Sequence, residues 1–278
     1  MLKKYAAFTL AEILIVIAII GVVSALTVPN LAKNTNNKEI VARVKKADAN
    51  LSDAYGRARA KYGANLDNWF LSDGTSVTNR TKRVGKRMLE FMNVDKDCGL
   101  TTAGCFKNAN YALLDANASS SSNLDSTSNN YYKAILADGS SVAFYCPVTS
   151  ATDISNRQNE DTKAAQEAQK KGESVSTDVL VGNTFCIVDV DVDGPNKGFN
   201  TAGIDLFQFI LDDRVTTGYY KDNVLYSYNG VYKNALRNCQ TSIMGCAAWI
   251  MNYDNADYLE CADKLDPTNP TAPVTSCN

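Results

Sequence analysis

The chain has 278 residues, 45% hydrophobic and 21% charged, enough apolar material for one sizeable core or two small ones and too much for a disordered polypeptide. Its formal charge of -2 supplies no basic field of the kind that holds a phosphate backbone, so nucleic acid is not an expected partner. Histidine is absent, which removes Ser-His-Asp and Cys-His nucleophile activation, imidazole bases and His-containing zinc sites; no spacing points to a carboxylate pair or a Ser-Lys arrangement, and an enzyme is not expected.

Lys3 and Lys4 precede an apolar run, and between Glu12 and Lys33 twenty residues pass without a charge. That length suffices to cross a bilayer as a helix, and the two lysines keep the short N-terminal end cytoplasmic while the rest is exported. Glu12 is the anomaly, because an ionised carboxylate near the front of a bilayer helix costs about 3 kcal/mol unless a cation compensates it. Lys3 and Lys4 can snorkel back towards it, which makes a carboxylate at the headgroup boundary one reading.

The residues Phe8-Thr9-Leu10-Ala11-Glu12, the short Lys-containing leader before them and Pro29 further on resemble the prepilin N-terminal cleavage and methylation segment of type IV pilins, competence pilins and type II secretion pseudopilins. The resemblance covers about residues 3–32. It implies a leader over 1–7, a cut between Ala7 and Phe8 by a membrane aspartyl prepilin peptidase, and N-methylation of Phe8. The family usually has Gly where this chain has Ala7. The amine freed at Phe8 then pairs with Glu12 of a neighbouring subunit in an apolar filament core, a buried ion pair that sets register more than it adds stability.

The same resemblance implies a bacterial inner-membrane protein, single-pass with an exported head, that passes into a periplasmic or extracellular filament. Its implied partners are other pilin or pseudopilin subunits, the inner-membrane assembly platform and membrane lipid; no cofactor is required. A subunit that caps or decorates the filament and binds through its loops is a second reading. A third is a removable secretory signal, since Lys3, Lys4, the apolar run Ile13 to Val23 and Val23-Ser24-Ala25 follow the order of such a peptide. Glu12 at the front of the run, and the lack of a break before the next helix, stand against that.

The apolar helix is expected over 8–32, with Gly21 and Pro29 as points of bending or local melting. Over 33–63 it turns amphipathic: Ile40, Val44, Ala47, Leu51, Ala54, Tyr55, Ala58 and Tyr62 recur at steps of three and four and mark a core-facing stripe. Gly63 ends it. The expected fold class is α+β, a long N-terminal helix packed on a mainly antiparallel sheet head over 64–278, pilin-like and crosslinked by disulfides. Strands are expected over Tyr131–Ala137, Ser140–Cys146, Thr184–Val192, Asp205–Leu211 and Asn223–Tyr228, and short helices over Thr81–Asn93 and Ser242–Tyr253. Asp138-Gly139 reads as a two-residue hairpin turn with both residues at positive φ. Stretches near 115–130 and 149–178 read as polar surface insertions with little to give the core, and 159–171 as an exposed helix.

All eight cysteines follow residue 97, in the exported part, where an oxidising compartment favours disulfides. Cys98 with Cys105 and Cys239 with Cys246 share one spacing and can close small loops; Cys146 and Cys186 lie in strands that can be neighbours, and Cys261 with Cys277 can pin the tail. Sequence cannot choose among the 105 pairings that eight cysteines permit. No CxxC pair occurs to favour a four-cysteine zinc site. The remaining chemical motif is Asp189-Val190-Asp191-Val192-Asp193-Gly194, the front half of a calcium loop, with Asn196 and Asp205 as further candidate ligands. The bidentate Glu such a loop needs is replaced by Asn200. A strand with its valines inward and its aspartates outward explains the same residues; the resemblance to pseudopilins, some of which bind calcium in the head, supports the cation reading.

Overall fold

A computed structural model describes residues 10–63, 66–69, 76–118, 123–128, 130–147, 185–212, 225–227, 235–241, 243, 245–266 and 272–277. Helix α1 runs unbroken over Leu10–Tyr62, through both Gly21 and Pro29, so neither residue melts it. Its second half buries Val41, Val44, Leu51, Ala54, Tyr55 and Ala58, with Ile40, Ala47 and Tyr62 packed alongside. These positions recur every three or four residues, the stripe that a 3.6-residue repeat turns towards one side. Gly63 stops the helix at φ 106°, its amide donating to the Arg59 carbonyl at 3.0 Å.

Helix α2 (Val77–Leu89) begins four residues before the expected Thr81 because Ser76 caps it, its hydroxyl accepting from the Asn79 amide at 3.2 Å. Six antiparallel strands follow, adjacent in sequence order: β1 (Val94–Gly99), β2 (Tyr132–Leu136), β3 (Ser141–Tyr145), β4 (Phe185–Asp191), β5 (Leu206–Asp212) and β6 (Leu225–Ser227). Five of them answer to expected strands. Strand β1 does not, because its alternation is charged, Asp95-Lys96-Asp97, and two register irregularities interrupt its pairing with β2. Helices α3 (Ala235–Thr241) and α4 (Cys246–Tyr253) close the head; α4 starts at Cys246, four residues after the expected Ser242, and α3 was not expected.

The hairpin between β2 and β3 forms where expected but with another turn. Among the described residues Asn200 and Asp254 are the non-glycines at positive φ, so Asp138 is not left-handed while Gly139 is, at φ 88°. Leu136 donates to the Ser140 carbonyl at 2.8 Å, which leaves a wider loop than two residues. The Asp138 carboxylate fills it, accepting from the Ser140 amide at 3.1 Å and hydroxyl at 2.6 Å.

Both sheet faces are covered. Val142, Phe144, Val188, Val190, Phe207, Phe209 and Leu211 alternate onto one face and join the stripe of α1 with Val84, Met88 and Trp249. The opposite face carries Ala143 and Leu206 and is roofed by Cys98, Cys105, Phe106, Tyr111 and Leu124. The stretch near 115–130 is therefore not a bystander: Leu124 is buried, and the buried Asp125 carboxylate accepts the amides of Gly104, Cys105 and Phe106 at 2.8, 3.0 and 3.0 Å. Lys133, fully buried, donates to the carbonyls of Asp125 and Ser126 at 3.2 and 3.0 Å. Burial lowers its pKa, and the Asp125 charge opposes that shift. The 149–178 stretch and the helix expected within it lie outside the described residues.

Four disulfides pair Cys98 with Cys105, Cys146 with Cys186, Cys239 with Cys246 and Cys261 with Cys277. Cys146 and Cys186 follow β3 and open β4, strands already paired, so their bridge ties the neck of the 149–178 stretch across a separation of 40 residues. The chain-entropy contribution grows with loop length. Replacing both Cys146 and Cys186 by Ala should cost about 4 kcal/mol in chemical denaturation, against about 2.5 kcal/mol for Cys98 with Cys105, whose separation is 7. Equal losses would show that native-state packing, not loop closure, sets the contribution.

Candidate assembly segment and acidic turn

The first part of α1 stands out from the packed core. From Ile13 to Val23 the large apolar side chains are 49–63% exposed, on every side of the helix, whereas Val44 and Ala58 in the second part are fully buried. A helix apolar all round needs cover from an apolar medium or other helices. Among the described residues no helix is long and apolar enough to cross a membrane; the described side chains of this run end at Ala25. Glu12 is exposed in the first turn, where the helix dipole favours an acid. Pro29 lies within α1, and Ala7 and Phe8 lie outside the described residues.

Where α1 enters the head, polar contacts reach it from two regions. Asn37 donates to Glu260 at 2.6 Å, Lys46 pairs with Asp138 at 2.8 Å, Arg43 pairs with Asp193, and Lys45 pairs with Asp254 at the end of α4. Burial alone would raise the Asp138 carboxyl, but Lys46 and the hydroxyl and amide of Ser140 outweigh it and hold the pKa below the usual range. Two loops meet at this neck. Gly194, at φ 79°, lies so close to the hairpin that a Cβ on it would stand 1.9 Å from the Gly139 carbonyl oxygen, so only glycine fits. The sequence offered a partial signal for this collar: Arg43, Lys45 and Lys46 stand off the apolar stripe, but nothing local names their partners.

Three of the five expected cation ligands lie near one another: a Cβ on Gly198 would stand 2.7 Å from the Asp205 carboxylate and 2.9 Å from that of Asp193, and the Asp205 charge adds to the upward shift of Asp191. Among the described residues no group of three or more acidic or cysteine side chains could hold a metal ion. Asp189 and Asp191 follow the strand alternation off the valine face, as the strand reading required, but they are buried instead of facing solvent because the 98–125 segment roofs that face. Asp189 accepts from Gln208 at 2.7 Å. Asp191 accepts the Tyr111 hydroxyl at 2.5 Å and the amides of Asp193 and Gly194 at 3.1 and 2.8 Å. Asp193 turns to Arg43, Asn196 is exposed, and Asp205 accepts the Thr201 amide at 3.1 Å. Asn200, in the place of the missing Glu, donates to the Asn110 carbonyl at 3.0 Å. Tyr111 and Gln208 are the residues that sequence reasoning missed; their partners lie 80 and 19 residues away.

Burial pushes both Asp189 and Asp191 up to about 7, against the pull of Gln208 on the first and of Tyr111 and the Gly194 amide on the second. Burial raises Tyr111 too, and the charges and hydrogen bond of Asp191 add to it. The Asp189 Oδ2 atom has no hydrogen-bond partner, so a charge there is poorly compensated.

The N-terminal residues 2–28 match the family described as the prokaryotic N-terminal methylation motif. No curated protein and no solved structure matches the chain. The chain thus carries a prepilin-type cleavage and methylation motif. That motif implies a type IV pilin- or pseudopilin-like protein, exported with a membrane anchor, processed by a prepilin peptidase and assembled with pilus-type partners.

A carboxyl whose folded pKa lies above its unfolded value binds its proton more tightly when folded. Its contribution is greatest below about pH 4 and is lost as pH rises through about 7. Asp189→Asn keeps the shape and cannot ionise. It should stabilise the protein at pH 7.5 by about 1–3 kcal/mol and change little at pH 4, read as chemical denaturation midpoints at the two pH values. A loss of stability at pH 7.5 would show that the charged form is compensated after all.

Proposed function

We propose that the chain is a structural subunit of a type IV pilus-like or type II secretion pseudopilus filament, processed before Phe8 and held in the inner membrane until it is assembled. One observation carries this reading: a single helix whose second half is packed in the head while its first half presents apolar side chains in every direction. Completing the burial of the ten large exposed side chains from Leu10 to Val23 is worth on the order of 10 kcal/mol. Lipid supplies that burial before assembly, and the same segment of other copies supplies it afterwards. Glu12 places a carboxylate in this apolar surface, and a new α-amino group at Phe8 of a neighbouring copy supplies a cation at the same depth.

A second reading, a minor subunit that caps the filament and binds through its loops, is favoured by the Cys146–Cys186 disulfide, which brackets the long polar 149–178 stretch of the sequence. The share of the chain in sheared fibres separates the two, since a major subunit dominates their mass.

The N-terminus of the exported protein tests the assignment. Mass spectrometry should find methylated Phe8; a chain beginning at Leu26 would mean a secreted domain released by signal peptidase. Glu12→Ala should lower the yield of sheared fibres at least about tenfold while leaving the head folded. Undiminished fibres from that variant would remove the ion pair from the mechanism.

A further inference from the structure

Helix α2 is unusually basic. Its thirteen residues include Arg80, Lys82, Arg83, Lys86 and Arg87 and no acid. Lys82 and Lys86 are exposed, Arg83 and Arg87 are half-buried, and together with Asn79 they line an open cleft of about 460 Å³. Lys82 with Lys86, and Arg83 with Arg87, are like-charged pairs at the i,i+4 spacing, which weakens a helix by roughly 0.2–0.5 kcal/mol per pair. Burial and then the Arg83 charge both lower the Arg87 pKa, so the repulsion is felt. A helix arranged against itself in this way gains whenever a surface of opposite sign covers it.

The same chain presents such a surface. Between 254 and 266 acids fall at every third position, Asp254, Asp257, Glu260, Asp263 and Asp266, against one base, Lys264. Asp257 is turned inward, accepting from the Cys277 amide and the Ser276 hydroxyl at 2.7 and 2.9 Å, while the other four are exposed. The two surfaces lie at different levels of α1. The end of α2 sits beside residues 61 and 62: the Arg87 guanidinium lies 4.3 Å from the centroid of the Tyr62 ring, and Glu90 meets Lys61 and Tyr62. The acidic segment sits beside residues 37 and 45, through Glu260 and Asp254. About twenty residues of helix separate the two levels, roughly 30 Å.

We propose that the basic face of α2 on one copy docks on the acidic 254–266 segment of another copy displaced along the α1 axis. The contact is head to tail, with different surfaces on its two sides, and repeats without closing on itself, which is what an open helical polymer requires. It rests on the filament reading and deepens it: α1 supplies adhesion in the apolar core, and the heads supply direction and register at the periphery, where charge acts more on specificity than on affinity.

Charge reversal in the full chain tests this. Lys82→Glu/Lys86→Glu should lower the yield of sheared fibres at least about fivefold, and so should Asp263→Lys/Asp266→Lys, because each places like charges face to face. Combining the two pairs restores the attraction and should recover most of the yield. A zero-length carboxyl–amine crosslinker applied to fibres mixed from isotopically heavy and light chains should join Lys82 or Lys86 of one copy to Glu260, Asp263 or Asp266 of another. Unchanged thermal unfolding of the variants excludes misfolding as the cause.

The inference is overturned if the single-side variants assemble normally, if the combined variant is no better than either, or if no heavy–light crosslink joins the two segments. Loss on α2 alone, with binding of a polyanion probe such as heparin, would place a different occupant on the basic face. Wild-type chains that form no fibres would sink the filament reading itself; fibres that form and ignore these charges sink only the head contact.

Discussion

The structure depends on one constraint: a single unbroken helix serves two solvents. From about residue 40 onwards α1 behaves as a helix of a water-soluble protein, burying one stripe and leaving the other side wet. From Leu10 to Ala25 it has no wet side. A globular chain cannot satisfy both regimes alone, because an all-round apolar cylinder finds no cover on a head that begins some fifteen residues later. The head is thus built to hold one end of a rod whose other end belongs elsewhere.

That demand explains the collar around residues 37–46. Exposed ion pairs contribute about 0–1 kcal/mol each, so Arg43, Lys45 and Lys46 add little to stability. Their partners, however, come from two regions, the meeting point of the loop after β4 with the β2–β3 hairpin and the end of α4. Contacts spread around a rod resist tilting better than the same number on one side. From residue 40 back to residue 10 the lever is roughly 45 Å, and a tilt of about ten degrees at the neck would move its far end by roughly 8 Å, more than a helical turn. The close backbone approach of Gly194 to Gly139 locks together the two loops that supply Asp193 and Asp138, so the collar is a rigid frame.

What could be read from the amino acids follows the range of the interactions involved. The stripe from Ile40 to Tyr62, the stop at Gly63 and the strands over Tyr132–Leu136, Ser141–Tyr145 and Phe185–Asp191 are governed by periodicity and local backbone geometry, and these are written in adjacent residues. Strand β1 was hidden because its side chains alternate charges rather than apolar and polar residues. The role of Asp189 and Asp191 was hidden for a different reason. Three closely spaced acids signal a cation only if they face one point, and whether they do depends on Tyr111, Gln208 and the roof over the second sheet face, none of which is local. The wider hairpin turn at Asp138-Gly139 shows the same limit at short range, because the acid fills the loop with its own side chain.

The second sheet face shows how a head of this kind stays single. A six-stranded antiparallel sheet with α1, α2 and α4 on one side would ordinarily leave its other side in water. Here Cys98, Cys105, Phe106, Tyr111 and Leu124 lie across it, held by the Cys98–Cys105 bridge and by Asp125 gathering three consecutive amides. A backbone loop over a sheet must satisfy its own polar groups, and one carboxylate answers three of them at once. With that face roofed, the sheet's broad apolar-and-acidic surface is buried, while the first half of α1 and the charged patches at the two levels of the head stay exposed.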